Sequence, residues 1–562
     1  MNAKVVSTPP QEIKKRMTLI QLTRVGDLVQ TFQMARLLKE EHPEIELTLV
    51  ARKQYANPLK FLLVNVFDDI ILLDTDKIFR SHESITLDKC KSELRKFLLR
   101  VNQHPASVSI NLSFCKTSSY LHSLIHSEFK VGPYYDLTAQ KVIKDKWSQY
   151  LYSTVMRGDL NPYNLVDLFK NIVGVKSIKS VEVKHQKRRH IVLHPFASQE
   201  RKRWKNSKWS EVVYKLLKDN RDLKITIVGA KSDLIDCDDI LNTPLLASFL
   251  GQIENKVGKT NIEEVYNLLD DKTLFVGHDS AISHLAATRG TQSLTIALGN
   301  ARAQETAPYA DGNYVLAPKT KCYPCFPDVS CSYYQCHADI PYQVVICAIT
   351  NLLDGKELEE QTLLEGTSHF QLNGVELFKT RTNANGHQRV ERVIKHSLNS
   401  KEAMRDIYTI AWQFLFNEAE EDASFPELSA NAYAELKNDI SGVKHCYELC
   451  EFGKKYSRYI LEEISSKTPD LAQIKSYSAK IDEIDGLFEI VKNTFSRLHP
   501  VLDFLTISKS NLHGSNIVEL SESSFLTYND SSMLLSLIFD LINKTVTEYE
   551  KTNIKTSTKE LR

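Results

Sequence analysis

Along the first 131 positions, short apolar runs alternate with longer stretches whose apolar residues recur every three or four positions. Thr18-Leu-Ile-Gln-Leu22, Glu46-Leu-Thr-Leu-Val50, Asp69-Ile-Ile-Leu-Leu73, Ser107-Val-Ser-Ile-Asn-Leu112 and Phe129-Lys-Val131 are too brief for helices and read as buried strands. Between them, Leu28 to Glu41 carries Leu28, Phe32, Ala35 and Leu38 on one face and ends at His42-Pro43. Further helices are predicted near Asn57–Leu63, over the strongly amphipathic Leu87–Asn102, and over Ser118–His126. Strands alternating with helices predict a parallel sheet covered on both faces. Residues 140–185 read as helical and connecting sequence.

The same texture returns at His190-Ile-Val-Leu-His194. A helix Trp209–Lys218, a strand Lys224–Val228, an apolar run Leu246–Leu250 and a helix Ile262–Leu269 follow. Next comes the strand Leu274-Phe-Val276, with a sharp turn expected at Gly277-His278-Asp279 and a helix starting near Ser280. Ser293–Leu298 is expected to be the last core strand, and a helix Tyr342–Leu353 closes the series. The predicted class is α/β, with two doubly wound Rossmann-like domains at 17–185 and 186–353. Their ligand crevice is expected at the carboxyl ends of the strands. From Asp354 the texture changes. A linker at 354–400 contains an expected hairpin over His369–Phe378 on Asn373-Gly374. A helical extension at 401–552 carries helices over Ala403–Phe416, Ala430–Glu463, Ala472–Phe495 and Met533–Glu550, and the tail after Thr552 is expected to fray.

Composition narrows the function. The chain has 562 residues, about three domains' worth, and a net charge of +1, which gives no case for nucleic-acid binding. No run of ~18 apolar residues predicts a bilayer span. The polar Met1–Lys15 segment has no secretory h-region, so a cytoplasmic protein is expected. Of ten cysteines, Cys322, Cys325, Cys331 and Cys336 crowd onto one loop. In a reducing compartment, four thiolates there can hold zinc or iron, or can be loop cysteines that are partly buried.

Candidate chemistry gathers at strand ends. The strand–turn–helix at Leu274–Thr288 aims free backbone N–H groups and a positive dipole end into the crevice, which suits an anion. Asp279 there can take a sugar or ribose hydroxyl. His194-Pro-Phe-Ala-Ser198 leaves another strand, and Arg201-Lys202-Arg203 follows it; three cations there can neutralise a diphosphate without a metal ion. In the first half, Asp27 follows Gly26 at a helix start and can serve as general base or as a helix cap. Nicotinamide or flavin binding is not supported, because no G-x-G-x-x-G is present. Gly258-Lys259-Thr260 is not a P-loop: six residues separate Gly251 from Gly258 where the motif needs four. Asp74 and Asp76 read as a connector.

Five ordered motifs together resemble glycosyltransferase family 9, the heptosyltransferase-like enzymes, over residues 17–353. They are Leu22-Thr-Arg-Val-Gly-Asp-Leu-Val-Gln-Thr31, His194-Pro-Phe-Ala-Ser198, Lys202-Arg-Trp204 with Trp209, Gly258-Lys-Thr-Asn-Ile262, and Gly277-His-Asp-Ser-Ala-Ile-Ser-His-Leu-Ala-Ala287. The resemblance implies a GT-B fold of two facing Rossmann-like domains. It implies inverting, metal-independent transfer from a nucleotide-diphosphate sugar, typically ADP-heptose, to a glycan or protein hydroxyl, with no cofactor for catalysis. Asp27 matches the family's base. Lys202 matches its donor-phosphate contact, with Arg201, Arg203 and Ser198 beside it. Asp279, Ser280 and Ala281 match its donor-gripping turn, and His284 sits one turn into that helix. Ala281 departs from the family's glycine and Gln30 from a frequent histidine, so the donor's identity stays open. The cysteine loop resembles an iron-binding loop in the family's protein heptosyltransferases. The alternatives are a nucleotide-sugar epimerase of the same fold, or a silent module acting through its helical region. That region's role is open between partner binding, oligomerisation and membrane-surface contact, and the oligomeric state is unread.

Overall fold

The computed structural model describes residues 15–79, 86–154, 157–326, 329–418, 427–512, 514 and 516–560. The chain divides into two compact units, Met1–Ile143 with Ile172–Ser177, and Lys144–Asn171 with Ile178–Arg562.

The first unit is built on strands β1 (Arg16–Gln21), β2 (Glu46–Arg52), β3 (Asp69–Leu73), β4 (Ala106–Asn111) and β5 (Ser127–Val131). They form a wholly parallel sheet in the order β3-β2-β1-β4-β5. This order places β1 centrally, with Leu19 and Ile20 fully buried. A central strand flanked by crossover helices must be apolar on both faces, which is why its sequence reads as a continuous run rather than an alternation. The helix after β1 spans Val25–Glu41 and starts three residues before the expected Leu28. The carboxylate of Asp27 accepts the Arg24 backbone N–H at 2.9 Å and so carries the first turn back to Val25. A small ribbon, β6 (Tyr134–Tyr135) and β7 (Lys141–Val142), follows the sheet.

The second unit has an eight-stranded sheet from β8 (His190–His194), β9 (Lys224–Ile227), β10 (Ile253–Asn255), β11 (Thr273–His278), β12 (Gln292–Ile296), β13 (Tyr314–Pro318), β14 (Val375–Thr382) and β15 (Gln388–Arg392). The order is β10-β9-β8-β11-β12-β13-β14-β15. β8 to β13 pair in parallel, and β14 and β15 add antiparallel strands at one edge.

Several expectations are corrected here. The last parallel strand is β13, not Ser293–Leu298; its Tyr314-Val-Leu-Ala-Pro318 is a fully buried run between Asp311-Gly-Asn313 and Lys319. The Leu246–Leu250 run lies between two short 3-10 turns, and the edge strand is the polar Ile253–Asn255 beyond it. The hairpin expected over His369–Phe378 on Asn373-Gly374 does not form, and β14 with β15 makes one further along the chain. His369–Leu372 is a helical turn capped by Ser368, and the strands reverse over Asn383–His387, where Gly386 adopts φ +74. Asn373-Gly374 precedes β14 instead of joining two strands.

The C-terminal region is mainly helical, with helices Ser400–Leu415, Ala430–Ile464, Leu471–Thr494, His499–Ser510 and Ile517–Glu560. His499–Ser510 was not expected, and the last helix begins well before Met533 and runs past Thr552. Small residues let the long helices pack closely: a Cβ on Gly453 would sit 2.6 Å from the Tyr528 ring, and one on Gly442 2.5 Å from that of Phe495. This region is fused to the sheet unit by an aromatic cluster. Trp147 stacks on Phe416 at 3.8 Å, and Trp412 meets the edges of Tyr150 at 5.0 Å and Phe504 at 5.5 Å. A buried ion pair adds a second tie. Lys170 lies 3.4 Å from Asp167 and donates to the Gly386 carbonyl, while Asp167 accepts the Gln388 N–H.

Trp412 is fully buried. Trp412→Ala is expected to destabilise the second unit by about 3–5 kcal/mol, read as a lower urea midpoint at unchanged slope. A loss under about 1 kcal/mol would show that the helical region is not tied to the sheet through this cluster.

Candidate functional site

β8 and β11 are adjacent and parallel, so their carboxyl ends open on the same edge of the sheet. The contact is tight at the end: Gly277 pairs with His194, and a Cβ on Gly277 would lie 2.6 Å from the His194 carbonyl oxygen. β11 continues through His278 instead of turning at Gly277, so the turn is confined to Asp279-Ser280. The helix then spans Ala281–Thr288 with Ser280 as its N-cap residue. Ser283 Oγ accepts the Ser280 N–H at 3.3 Å and donates to the Ser280 carbonyl at 2.6 Å. Ser280 Oγ is 3.4 Å from His194 Nδ1. Burial lowers His194 to about 4 and His278 to about 3, so both rings are neutral at pH 7.

Opposite this helix end stands the loop after β8. Its fixed point is Trp204, fully buried against Trp209 with ring centroids 5.1 Å apart and planes at 90°. The Trp204 backbone N–H donates to His278 Nε2 at 3.2 Å, and its indole N–H donates to the His337 carbonyl at 3.1 Å. Two residues before this anchor, Lys202 Nζ reaches Asp279 Oδ2 at 2.6 Å. His284 Nε2 lies 3.9 Å from Asp279 Oδ1. Burial would raise the Asp279 carboxyl, but the Lys202 and His284 charges and hydrogen bonds from Lys202 and Thr306 outweigh it and hold it below the ordinary range.

Lys202, Asp279, Ser280 and His284 are therefore brought together, with Ala281 half-buried at the first helical position. The flanking cations are directed elsewhere. Arg201 donates to Gln199 Oε1 and to the Phe326 and Val329 carbonyls, tying this loop to the cysteine loop. Arg203 pairs with Asp236. Ser198 is exposed. Asp27 belongs to the first unit, where one of its oxygens is used in the cap described above.

The cysteine loop packs beneath the Lys202 turn. The Cys325 N–H donates to the Gly299 carbonyl at 2.8 Å, and a Cβ on Gly299, whose φ is +62, would lie 2.8 Å from the Arg201 carbonyl oxygen. Burial, then the neighbouring thiols, push Cys325 up, and burial raises Cys336 to about 11. Among the described residues, however, the group of three ligand atoms within 4.8 Å of one another is Glu376, His396 and Glu402, and no three thiols converge that closely.

Sequence reasoning missed several participants. Thr306 reaches Asp279 from the helix Ala303–Thr306 after β12, and the buried Trp204 anchors the loop that carries Lys202. Thr306 carries no sequence signal; the unexpected β13 hid the loop it belongs to.

Residues 164–334 match the model of glycosyltransferase family 9 (heptosyltransferase). The span holds Lys202, Asp279 and all of the loop between them, and leaves out Asp27. Among curated proteins, the chain is 22% identical over 285 residues to lipopolysaccharide heptosyltransferase 3 of Escherichia coli (strain K12), covering 48% of this chain and 79% of that protein. Among solved structures it is similar to the E. coli ADP-heptose LPS heptosyltransferase II, at 16% identity and TM-score 0.41 over 60% of this chain and 98% of the other. It is also similar to a family 9 glycosyl transferase from Veillonella parvula DSM 2008, at 16% identity and TM-score 0.40 over 52% and 83%. Among the described residues, no helix is long and apolar enough to cross a membrane.

Two outcomes test the Lys202–Asp279 pair. Lys202→Met leaves a buried carboxylate without its cation and is expected to cost about 3 kcal/mol in urea unfolding. The pH dependence has a definite sign: Asp279 is depressed in the folded state, so its contribution is present above the unfolded value near 3.8 and is lost as pH falls through the lower folded value. Asp279→Asn should therefore flatten the acid limb of Tm against pH below about pH 5; an unchanged limb would show that the pair contributes nothing.

Proposed function

We propose that this chain is an inverting glycosyltransferase that moves a heptose-like sugar from a nucleotide-diphosphate donor, ADP-heptose first among them, to a hydroxyl on a glycan or protein. The observation that carries the reading is the coincidence of two facts: the family 9 match spans residues 164–334, and within it Lys202 and Asp279 meet at the head of a helix on the carboxyl edge of a parallel sheet. That is where an anion is stabilised by backbone N–H groups and a helix dipole.

In the proposed reaction, the donor diphosphate takes Lys202 from Asp279. Charge grows on the leaving diphosphate in the transition state, and a lysine placed there lowers the barrier without a metal ion. The N–H groups at the start of Ala281–Thr288 add donors, and Asp279, released from Lys202, accepts a donor hydroxyl. His284 packs against Asp279. Asp27 takes the proton from the acceptor hydroxyl as that oxygen attacks the anomeric carbon and the bond to the diphosphate breaks. The C-terminal helical region favours a macromolecular acceptor.

We also infer a structural metal at Cys322, Cys325, Cys331 and Cys336. Thiolates suit zinc or iron, the four lie on one loop, and closing them to tetrahedral distance would brace the turn that carries Lys202. Elemental analysis of untagged protein decides: below about a tenth of an equivalent per chain, this assignment fails.

The main test is release of ADP, UDP or GDP from a panel of nucleotide sugars, with and without acceptor. Asp27→Asn is expected to lower transfer by about 10²–10⁴-fold with donor affinity unchanged. Lys202→Met should weaken the donor and the rate together. Wild-type transfer by Asp27→Asn would remove the base assignment, and donor binding without turnover would favour the silent module.

A further inference from the structure

A second cluster of ionisable side chains lies where the eight-stranded sheet meets the helical region. Glu376 is on β14, His396 is on the connector after β15, and Glu402 is in the first turn of the helix Ser400–Leu415. One ligand atom from each falls within 4.8 Å of the other two. His396 Nε2 is 3.2 Å from Glu402 Oε1 and 3.7 Å from Glu376 Oε1. Ligands around an ion at 2.0–2.2 Å lie roughly 3–3.5 Å apart, so small side-chain shifts complete the set.

We propose that Glu376, His396 and Glu402 bind a first-row transition-metal dication. The three are oriented by groups behind them. His396 Nδ1 lies 3.3 Å from the Ile394 carbonyl oxygen, which orients the ring, and Nε2 lies 3.2 Å from Glu402 Oε1, where a metal ion would displace the proton the two atoms share. Glu402 Oε2 accepts the Asn399 N–H at 2.8 Å, which holds Oε1 toward His396. Glu376 is held in register opposite Ala317 of β13. These are not exposed acids: the side chains of Glu376, His396 and Glu402 are 15%, 18% and 4% exposed.

Competing cations are present but poorly placed. Arg392 Nε is 3.6 Å from Glu402 Oε1, and its other arm is 3.5 Å from Asp406. Arg405 lines the same cavity. Among the described ion pairs, Glu376 has no lysine or arginine within 4.0 Å. All three ligands face a cavity of about 640 Å³, also lined by Lys319, Tyr323 and Ser400, which leaves room for water or a ligand oxygen to finish the coordination sphere. One imidazole with two carboxylates suits zinc, manganese or ferrous iron. An ion there would clamp β14 to the start of the helical region, and this assignment does not depend on the transfer reaction.

The test uses the full chain, stripped with a chelator and titrated with Co²⁺ under reducing conditions, and with Zn²⁺ by calorimetry. In the full chain carrying Cys322→Ser and Cys325→Ser, which removes the thiolate set, the expected result is uptake showing d–d bands without a thiolate charge-transfer band, and a higher Tm with Zn²⁺. Glu376→Gln and His396→Gln, checked for folding by circular dichroism, should each weaken this uptake at least about tenfold. Equal affinity in the Glu376 and His396 variants, uptake only with a thiolate band, or no uptake at all would overturn the proposal. The two carboxylates would then be held by a shared proton instead of a metal.

Discussion

The Lys202–Asp279 pairing in the second unit rides on the burial of Trp204. A fully buried indole removes roughly 150–250 Å² from water, which at about 25 cal/mol per Å² stabilises by several kcal/mol. A largely buried ion pair contributes far less net, because desolvating the two charges offsets most of their attraction. The Lys202–Asp279 contact therefore does not position the loop. Trp204 does, with its N–H on His278 and its indole on the His337 carbonyl, and Lys202 is carried to Asp279 as a consequence. The same anchor explains why His278 is buried and neutral: it serves as a hydrogen-bond acceptor for the backbone, and a proton on Nε2 would abolish that role.

The pairing also shapes what the site does with an anion. A lone lysine aimed into a crevice attracts any phosphate. A lysine already paired with a carboxylate releases itself only to a ligand that offers more charge and also gives the carboxylate a new partner. Under the proposed function a sugar diphosphate does both, with two phosphates for Lys202 and the helix N-terminus and hydroxyls for Asp279. Inorganic phosphate does only the first. Discrimination then comes from the requirement to satisfy both members of a buried pair, since an unpaired buried charge is costly.

What the sequence made legible divides along physical lines. The two series of βα units were readable because parallel strands buried on both faces must be short apolar runs; His190–His194 and Asp69–Leu73 were placed to the residue. Asp27, Lys202 and Asp279 were singled out from strand ends, and two of the three do meet. The direction of Arg201 and Arg203 was not legible, because charge alone does not say whether a guanidinium faces a ligand or a carbonyl two loops away. β13 was missed because its Pro318 and the cysteine loop obscured a strand that tertiary packing makes. The Glu376–His396–Glu402 cluster was invisible for a plainer reason: its members come from a strand, a connector and a helix start, and only the antiparallel addition of β14 and β15 brings them together.

That addition bears on the helical region as a whole. If the chain after Leu353 were a tethered appendage, its contacts with the sheet unit would be few and polar. Instead β14 and β15 extend the sheet itself, Lys170 and Asp167 bind the hairpin from a helix that precedes β8, and Trp147, Tyr150 and Trp412 interlock across the join. Segments from before β8 and after β13 are thus packed into one body around the edge of the parallel sheet. The cavity at that edge has walls from the loops after β12 and β13 on one side and from the helix starts at Ser400 and Ala430 on the other. Sheet loops and the starts of the C-terminal helices share this wall, so the two regions are packed together directly at the carboxyl edge of the sheet.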